Sequence, residues 1–294
     1  MRVTDLGAHQ AALSRIGARL SDYAATQDRL STGKKLTRSS DDPIGMNRAL
    51  ELRATLAARQ QETRNADDGK MWLQLADTTL QDVVSQIQRA RELAVRGATY
   101  TGTQEREAIA QEISHVRDDI ASLANTKYQG RGLFSGFSSG DAVQKVAGSW
   151  TYTGDTGQIN RRVGENEVVT VNVTGDVAFG FAAGNDIFTV LDNLESALNA
   201  NDSAGIEDSI DGLDSSLDTV LGGLGTIGAR TNQVEAAVAR TQQEIQSTTA
   251  QLSSLEDVDI SEAVMDLQLQ QTAYQAALSA FAQSAQISLV DFLS

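Results

Sequence analysis

The 294-residue sequence has no cysteine. That excludes disulfides, thiolate metal sites and cysteine nucleophiles. It has only two histidines, His9 and His115. They are far apart and lack the HxxxH or HxxE spacing of a metal or triad site. Pro43 is the only proline. Aromatic residues make up 5%, which is low for a compact enzyme core. Basic charge is also short. The net charge of −15 argues against nucleic acid as a partner, since that needs a basic footprint. No apolar stretch approaches the ~20 residues needed to span a bilayer, so membrane insertion is not expected. The opening MRVTDLGAHQAALSRIG lacks the apolar centre of a cleaved secretory signal. The chain could still leave a cell by a route that needs no such signal. At ~150 residues per domain, about two domains are expected.

What is present is unevenly spread. Residues 1–70 carry a net charge of +3 and residues 141–294 one of −17. No basic residue follows Arg240. The two ends are therefore opposite in sign, which favours their pairing within or between subunits. Solvated acidic helix faces are the plainer reading of much of the C-terminal excess. Glycine and aromatic residues concentrate between about residues 128 and 188, and no glycine follows Gly228. A β-rich insertion between two helical arms is the simplest organisation.

The arms carry apolar residues at alternating spacings of three and four. Leu6, His9, Leu13, Ile16, Leu20, Tyr23, Gln27 and Leu30 trace one heptad seam. Ile260, Val264, Leu267, Gln271, Tyr274, Leu278, Phe281, Ala285, Ser288 and Phe292 trace a second. A seam this narrow needs a partner helix rather than a broad core. A lone pair of helices is marginal in water, and neighbouring subunits would remedy that. Gly33 is a candidate C-cap. Asp42 and Pro43 are a candidate N-cap and first helical residue. A helix of ~50 residues from Pro43 would extend ~75 Å, weakened only at Gly45, Gly69 and Gly97. A third helix, carrying Ile109, Ile113, Val116, Ile120 and Leu123 on one face, follows TYTGT. Shorter helices are expected at 187–198 and 206–221, a break at Gly222 to Gly228, and a joint at 255–260. In the middle, Val169, Val171 and Val173 alternate with Thr170, Asn172 and Thr174. Trp150 and Tyr152 lie on one face of another candidate strand, and TGDTG at 153–157 is a turn signal.

Few motifs offer chemistry. Gly223-Leu-Gly225-Thr-Ile-Gly228 matches a dinucleotide loop, with Glu244 as the ribose acid. That loop needs a preceding strand, and a helical segment stands there instead, so a flexible break is the preferred reading. DVDISE at 257–262 begins like a calcium loop but lacks its later glycine and glutamate, which leaves Asp259 as a helix cap. The sequons at Asn172 and Asn201 read as chance. Trp150, Tyr152, Phe179 and Phe181 offer either stacking surfaces for a glycan or the core of the insert. No acid/base constellation rises above background. No enzyme activity and no cofactor or metal is expected.

Several segments, in order, resemble the bacterial flagellins and their junction relatives. They are RLSTGKK (29–35), SSDDPIG (39–45), RNADDG (64–69) and LANTKYQGRGLFSG (123–136), then GARTNQVE (228–235), LEDVDISEAV (255–264), QQTAYQAAL (270–278) and SLVDFL (288–293). ALELRATL (49–56), the middle segment 149–175 and the aromatic ending are nearer to the junction branch than to filament subunits. The resemblance implies a structural protein of the flagellum, mainly α. It would be a long helical rod with N- and C-terminal coiled-coil segments and a small β-rich inserted domain. Residues 1–40 with 258–294 would form the inner tube, 41–140 with 186–257 the rod, and 141–185 the outer domain. The terminal helices would order on assembly, through Leu6, Leu13, Ile16, Leu20, Leu30, Val264, Leu267, Tyr274, Leu278, Phe281 and Phe292. Implied partners are hook-associated protein 1, flagellin, copies of itself in a ring, and an export chaperone at the C-terminal region. Secretion would run through the flagellar type III channel. A short filament flagellin is the alternative, and a surface glycan-binding homologue a more distant one.

Overall fold

The computed structural model describes residues 2–38, 40, 42–99 and 102–293, with side chains described for these apart from 2–6, 8, 9 and 283–293. The chain is mainly α-helical with small antiparallel β-ladders. Its helices are α1 (Arg2–Thr32), α2 (Pro43–Thr99), α3 (Thr103–Ala124), α4 (Gly175–Ala178), α5 (Ile187–Asn199), α6 (Ser203–Glu256) and α7 (Ile260–Leu293). Between α3 and α4 lie three hairpins: β1 (Lys127–Tyr128) with β2 (Arg131–Gly132), β3 (Val143–Val146) with β4 (Ser149–Tyr152), and β5 (Asn160–Arg162) with β6 (Val168–Thr170). The chain divides into two compact units, residues 1–57 with 245–294 and residues 58–244.

The larger unit holds one continuous apolar cluster. The stripe Leu73, Leu80, Val83, Ile87 and Leu93 of α2 is fully buried, with Ile113 and Ile120 of α3, Leu191 of α5 and Leu213 of α6. The insert shares this cluster through Val169, Val171 and Phe179, joined by Phe134 before it and Phe188 of α5. Two glycines that weaken α2 on propensity grounds are places of close approach. A Cβ on Gly69 would lie 2.8 Å from Val171 Cγ1, and one on Gly97 would lie 2.5 Å from Leu198 Cδ2. Packing of the insert and of α5 onto α2 offsets the propensity cost, which is about 1 kcal/mol per glycine.

Two expectations are corrected. Gly222 to Gly228 is no break, because α6 runs unbroken through it. Val220, Ile227 and Val234 fall on the buried face, and their packing overrides weak local propensity. The dinucleotide reading falls with the break, since the motif lies inside a helix with no strand before it. In the insert, Val169, Val171 and Val173 are all buried as their alternation suggests. Only 168–170 pairs as a strand, however. Beyond it, Asn172 replaces ladder bonds with side-chain ones. Its Oδ1 accepts from the Ile159 N–H at 2.7 Å and its Nδ2 donates to the Gly157 carbonyl at 2.9 Å. That buried amide is committed, so the Asn172 sequon is not an open site.

The smaller unit is organised differently. α1 runs along α7. The half-buried positions are Ala12, Ile16, Tyr23, Thr26 and Leu30 on α1, and Leu267, Gln270, Ala273, Tyr274, Ala277 and Phe281 on α7. Ala273 apart, the steps are three, four or their sum. Among the described residues, the only buried apolar side chains of this unit are Ala49 and Ala263.

Candidate assembly surface

The seam residues read from the sequence divide into two groups. Ile16, Leu30, Leu267, Tyr274 and Phe281 are half-buried. Leu13 is 55% exposed, Leu20 48%, Val264 38% and Leu278 41%. The side chains of Leu6 and Phe292 lie outside the described residues, as does that of His9. Periodicity identified the apolar positions but not which stripe the chain itself would cover. It also passed over Met265 and Leu269, which are exposed and widen the open apolar surface of α7. The signal was present in the sequence, because α7 is apolar on more than one face. A helix of that kind is normally buried.

A clamp closes the inner end of this helix pair. α1 ends at Gly33, whose φ of +68° is the left-handed conformation of a helix C-cap. Its carbonyl accepts from the Val258 N–H at 3.0 Å, and the Lys35 N–H donates to the Glu256 carbonyl at 2.7 Å. These two bonds make a single β-bridge, Lys34 to Asp257. The Glu256 side chain is 3% exposed, and its Oε2 accepts from Lys34 Nζ and Arg53 Nη2, each at 2.7 Å. Burial pushes the Glu256 carboxyl up, but hydrogen bonds and charge from Lys34 and Arg53 outweigh it, and its pKa is lowered. Lys35 Nζ adds a bond to the Ser254 carbonyl at 2.8 Å. The opposite charge of the two ends is thus realised at this joint. No ion pair joins α1 to α7 among the described residues.

Caps fix the helices that leave the joint. Asp42 Oδ1 accepts from the Ile44 and Gly45 N–H groups at 3.1 and 2.9 Å. Asp259 Oδ1 accepts from Ser261 and Glu262 at 2.8 and 3.2 Å. Both caps match the expectation from sequence.

In the larger unit, charge holds the β5–β6 hairpin to the helices. Arg59 bonds Glu62 at 2.9 Å, and also pairs with Glu165 and, at 2.8 Å, with Glu244. Those carboxylates, Glu62 first, raise the Arg59 pKa. Glu244 is therefore an ion-pair partner of Arg59, and the ribose role considered for it falls with the loop. Arg161 bonds Asp68 at 2.8 Å, and Arg240 bonds Glu167. The insert's aromatics pack against one another. Trp150 and Phe181 both stack on Phe188, with centroids 5.0 and 5.8 Å away, and Phe179 meets Phe134 edge-on at 5.2 Å. Tyr152 Oη lies 2.9 Å from the Phe134 carbonyl and 2.7 Å from that of Asp155, and burial pushes its pKa up. Phe134, Phe179 and Phe188 are buried, and Trp150, Tyr152 and Phe181 are half-buried against the core. His115 is exposed, and no metal-ligating group of three is found among the described residues. No described helix is long and apolar enough to cross a membrane.

Residues 3–139 match the bacterial flagellin N-terminal helical region, and residues 210–293 match the bacterial flagellin C-terminal helical region. The chain is 28% identical to flagellar hook-associated protein 3 of Escherichia coli (strain K12), over 89% of this chain and 90% of that protein. It is 26% identical to the flagellin of Bacillus subtilis (strain 168), over 93% of each. Among solved structures, flagellar hook associated protein-3 from Legionella pneumophila superposes with a TM-score of 0.64 at 16% identity. That match covers 69% of this chain and 98% of the other. It establishes the shared fold.

Proposed function

The chain belongs to the bacterial flagellin superfamily, and on that premise we propose that it is the subunit joining the flagellar hook to the filament. The observation that carries this reading is the near end-to-end similarity to a hook-associated protein 3. The unfinished ends support the assembly part of it. Leu13, Leu20, Val264 and Leu278 stay roughly half open in the single chain, and burying the remainder against neighbours is worth about half of the ~1.5–3 kcal/mol for a whole side chain. In this reading residues 1–40 with 258–294 join the inner tube of the flagellum, 41–140 with 186–257 form the rod, and 141–185 face outward. Hook-associated protein 1 lies below, flagellin above, and further copies alongside in a ring. Before assembly the open surface of α7 needs cover, which an export chaperone would supply on the way through the type III channel.

A short filament flagellin is the second reading, favoured by the similarity to the Bacillus subtilis flagellin over an equal share of both chains. Position on isolated flagella separates the two. Immunogold labelling confined to a short band at the hook tip is expected, and labelling along the whole filament would replace the junction by the flagellin. A strain lacking the protein is expected to make hooks and shed flagellin into the medium. The purified chain is expected to stay monomeric in concentrated sulfate, which strengthens apolar burial and drives filament subunits to polymerise.

A further inference from the structure

A cleft in the larger unit has no part in the packing described so far. It holds about 400 Å3 between the 156–158 loop, the 172–177 segment and one face of α6. The α6 face consists of Thr219, Gly222, Gly223 and Thr226, at spacings of three, one and three. Both threonine hydroxyls bond back to their own helix, to the Ser215 and Gly222 carbonyls, each at 3.0 Å. The helix therefore presents nothing longer than a threonine, and a Cβ on Gly222 would meet no atom within 4 Å.

Arg230 stands one turn further along, at the end of this face. Its Nη1 donates to the Asn172 carbonyl, and it makes no other hydrogen bond among the described residues. Arg161 within the insert and Arg240, which reaches it from α6, each have a carboxylate partner. Arg230 has none among the described residues. Burial, with no compensating anion, pushes its pKa down. Asp176 also lines the cleft, and its Oδ1 is buried without a hydrogen-bond donor. Val177 beside it is exposed. A guanidinium taken partly out of water and left unpaired is destabilising, and the group that relieves it best is a carboxylate held by two parallel N–H bonds.

We infer that this cleft receives an acidic side chain from a second copy of this chain, whose carboxylate takes the open donors of Arg230. The inference rests on the reading that copies lie side by side in the flagellum. Charge identifies the occupant. The chain has 39 acidic residues against 24 basic ones. Exposed carboxylates such as Asp82, Glu207, Asp211 and Asp218 have no ion pair among the described residues. Each copy thus offers what the cleft of the next one lacks. In a ring the contact would run head-to-tail, the cleft of one copy taking a carboxylate of the next. The glycine face allows the donor backbone to come close.

Photo-crosslinking tests this. A benzophenone amino acid replaces Thr226 in the full chain, expressed in cells that lack the wild-type gene, and flagella are isolated after irradiation. A dimer of this chain is expected. Its yield should fall at least tenfold with Arg230→Gln and with Gly222→Trp. A Cβ at Gly222 meets no atom within 4 Å, so the indole of Gly222→Trp can enter the cleft, and the thermal midpoint of the purified variant should be no lower than wild type. Cross-links to flagellin or another protein would overturn the inference, as would no cross-link on flagella that contain the chain. If the probe itself blocks incorporation, Gly222→Trp decides alone, and incorporation at wild-type level overturns the inference. The junction reading is scored separately by position. A self-cross-link found along whole filaments keeps the cleft and discards the junction.

Discussion

The helical ends and the four-helix region use the same sequence grammar to opposite effect. In both, apolar side chains recur at intervals of three and four. In residues 58–244 the stripe Leu80, Val83, Ile87 of α2 is wholly buried. In α1 and α7 the same spacing leaves Leu13, Leu20 and Leu278 exposed. The difference lies in the number of neighbours. α2 packs into a cluster fed by α3, α5, α6 and the insert. α1 has α7 beside it, and one partner covers one stripe. A heptad pattern therefore predicts a surface that seeks burial, and the tertiary fold decides whether the same chain supplies it.

The strongest way to break this comparison is to truncate one large side chain in each region. Phe188→Ala removes a fully buried ring that Trp150 and Phe181 stack on. It should cost roughly 3–5 kcal/mol in chemical denaturation of the monomer. Leu278→Ala, which shortens an exposed side chain, should leave that transition within about 0.5 kcal/mol, the range of ordinary surface substitutions, yet impair incorporation at the hook tip. Equal losses of monomer stability would show that the ends are as well packed as the core. Hydrogen exchange sharpens the same point. Central α2 amides of the monomer should exchange at the rate of global unfolding. Those of residues 10–30 and 260–282 should exchange far faster, because so few buried contacts hold them.

A smaller effect concerns the joint. Glu256→Gln removes the charge that Lys34 and Arg53 share. Both cations are over two-fifths exposed and rehydrate, so about 1 kcal/mol is expected. Acid should do the same. The folded-state pKa of Glu256 is lowered, so its contribution is complete above the unfolded value and is lost as pH falls through the folded one. NMR of the Lys35 and Val258 amides should report the opening below the ordinary carboxylate range. Unchanged amides in Glu256→Gln would remove the clamp from the account. The smallest effect is Gly225→Ala. An added Cβ meets nothing within 4 Å inside α6, so a gain of roughly 0.5–1 kcal/mol is expected. A loss would restore the break that the glycines suggest.

Local rules made much of this legible. Asp42 before Pro43 starts α2, and Asp259 starts α7 after a joint at 257–259, because a cap needs only neighbours in sequence. The long helices α1, α2 and α7, the insert and the alternation of Val169, Val171 and Val173 were equally plain, but the continuity of α6 was not. The clamp at Glu256 was not, since its cations come from positions 34 and 53 and no spacing rule links them. Nor was the cleft beside Arg230, whose walls come from three separate segments.

By itself the sequence determined the helical class, the cap positions and the two apolar seams, all of which rest on interactions within a few residues. Only the tertiary structure decided that Gly222 to Gly228 is helix, that Leu13 and Leu278 remain open while Ile16 and Phe281 are half-covered, and that Arg230 beside the insert lacks a carboxylate among the described residues. Burial and charge pairing depend on which distant segments meet. That is set by the packing of whole faces rather than by any local run of side chains.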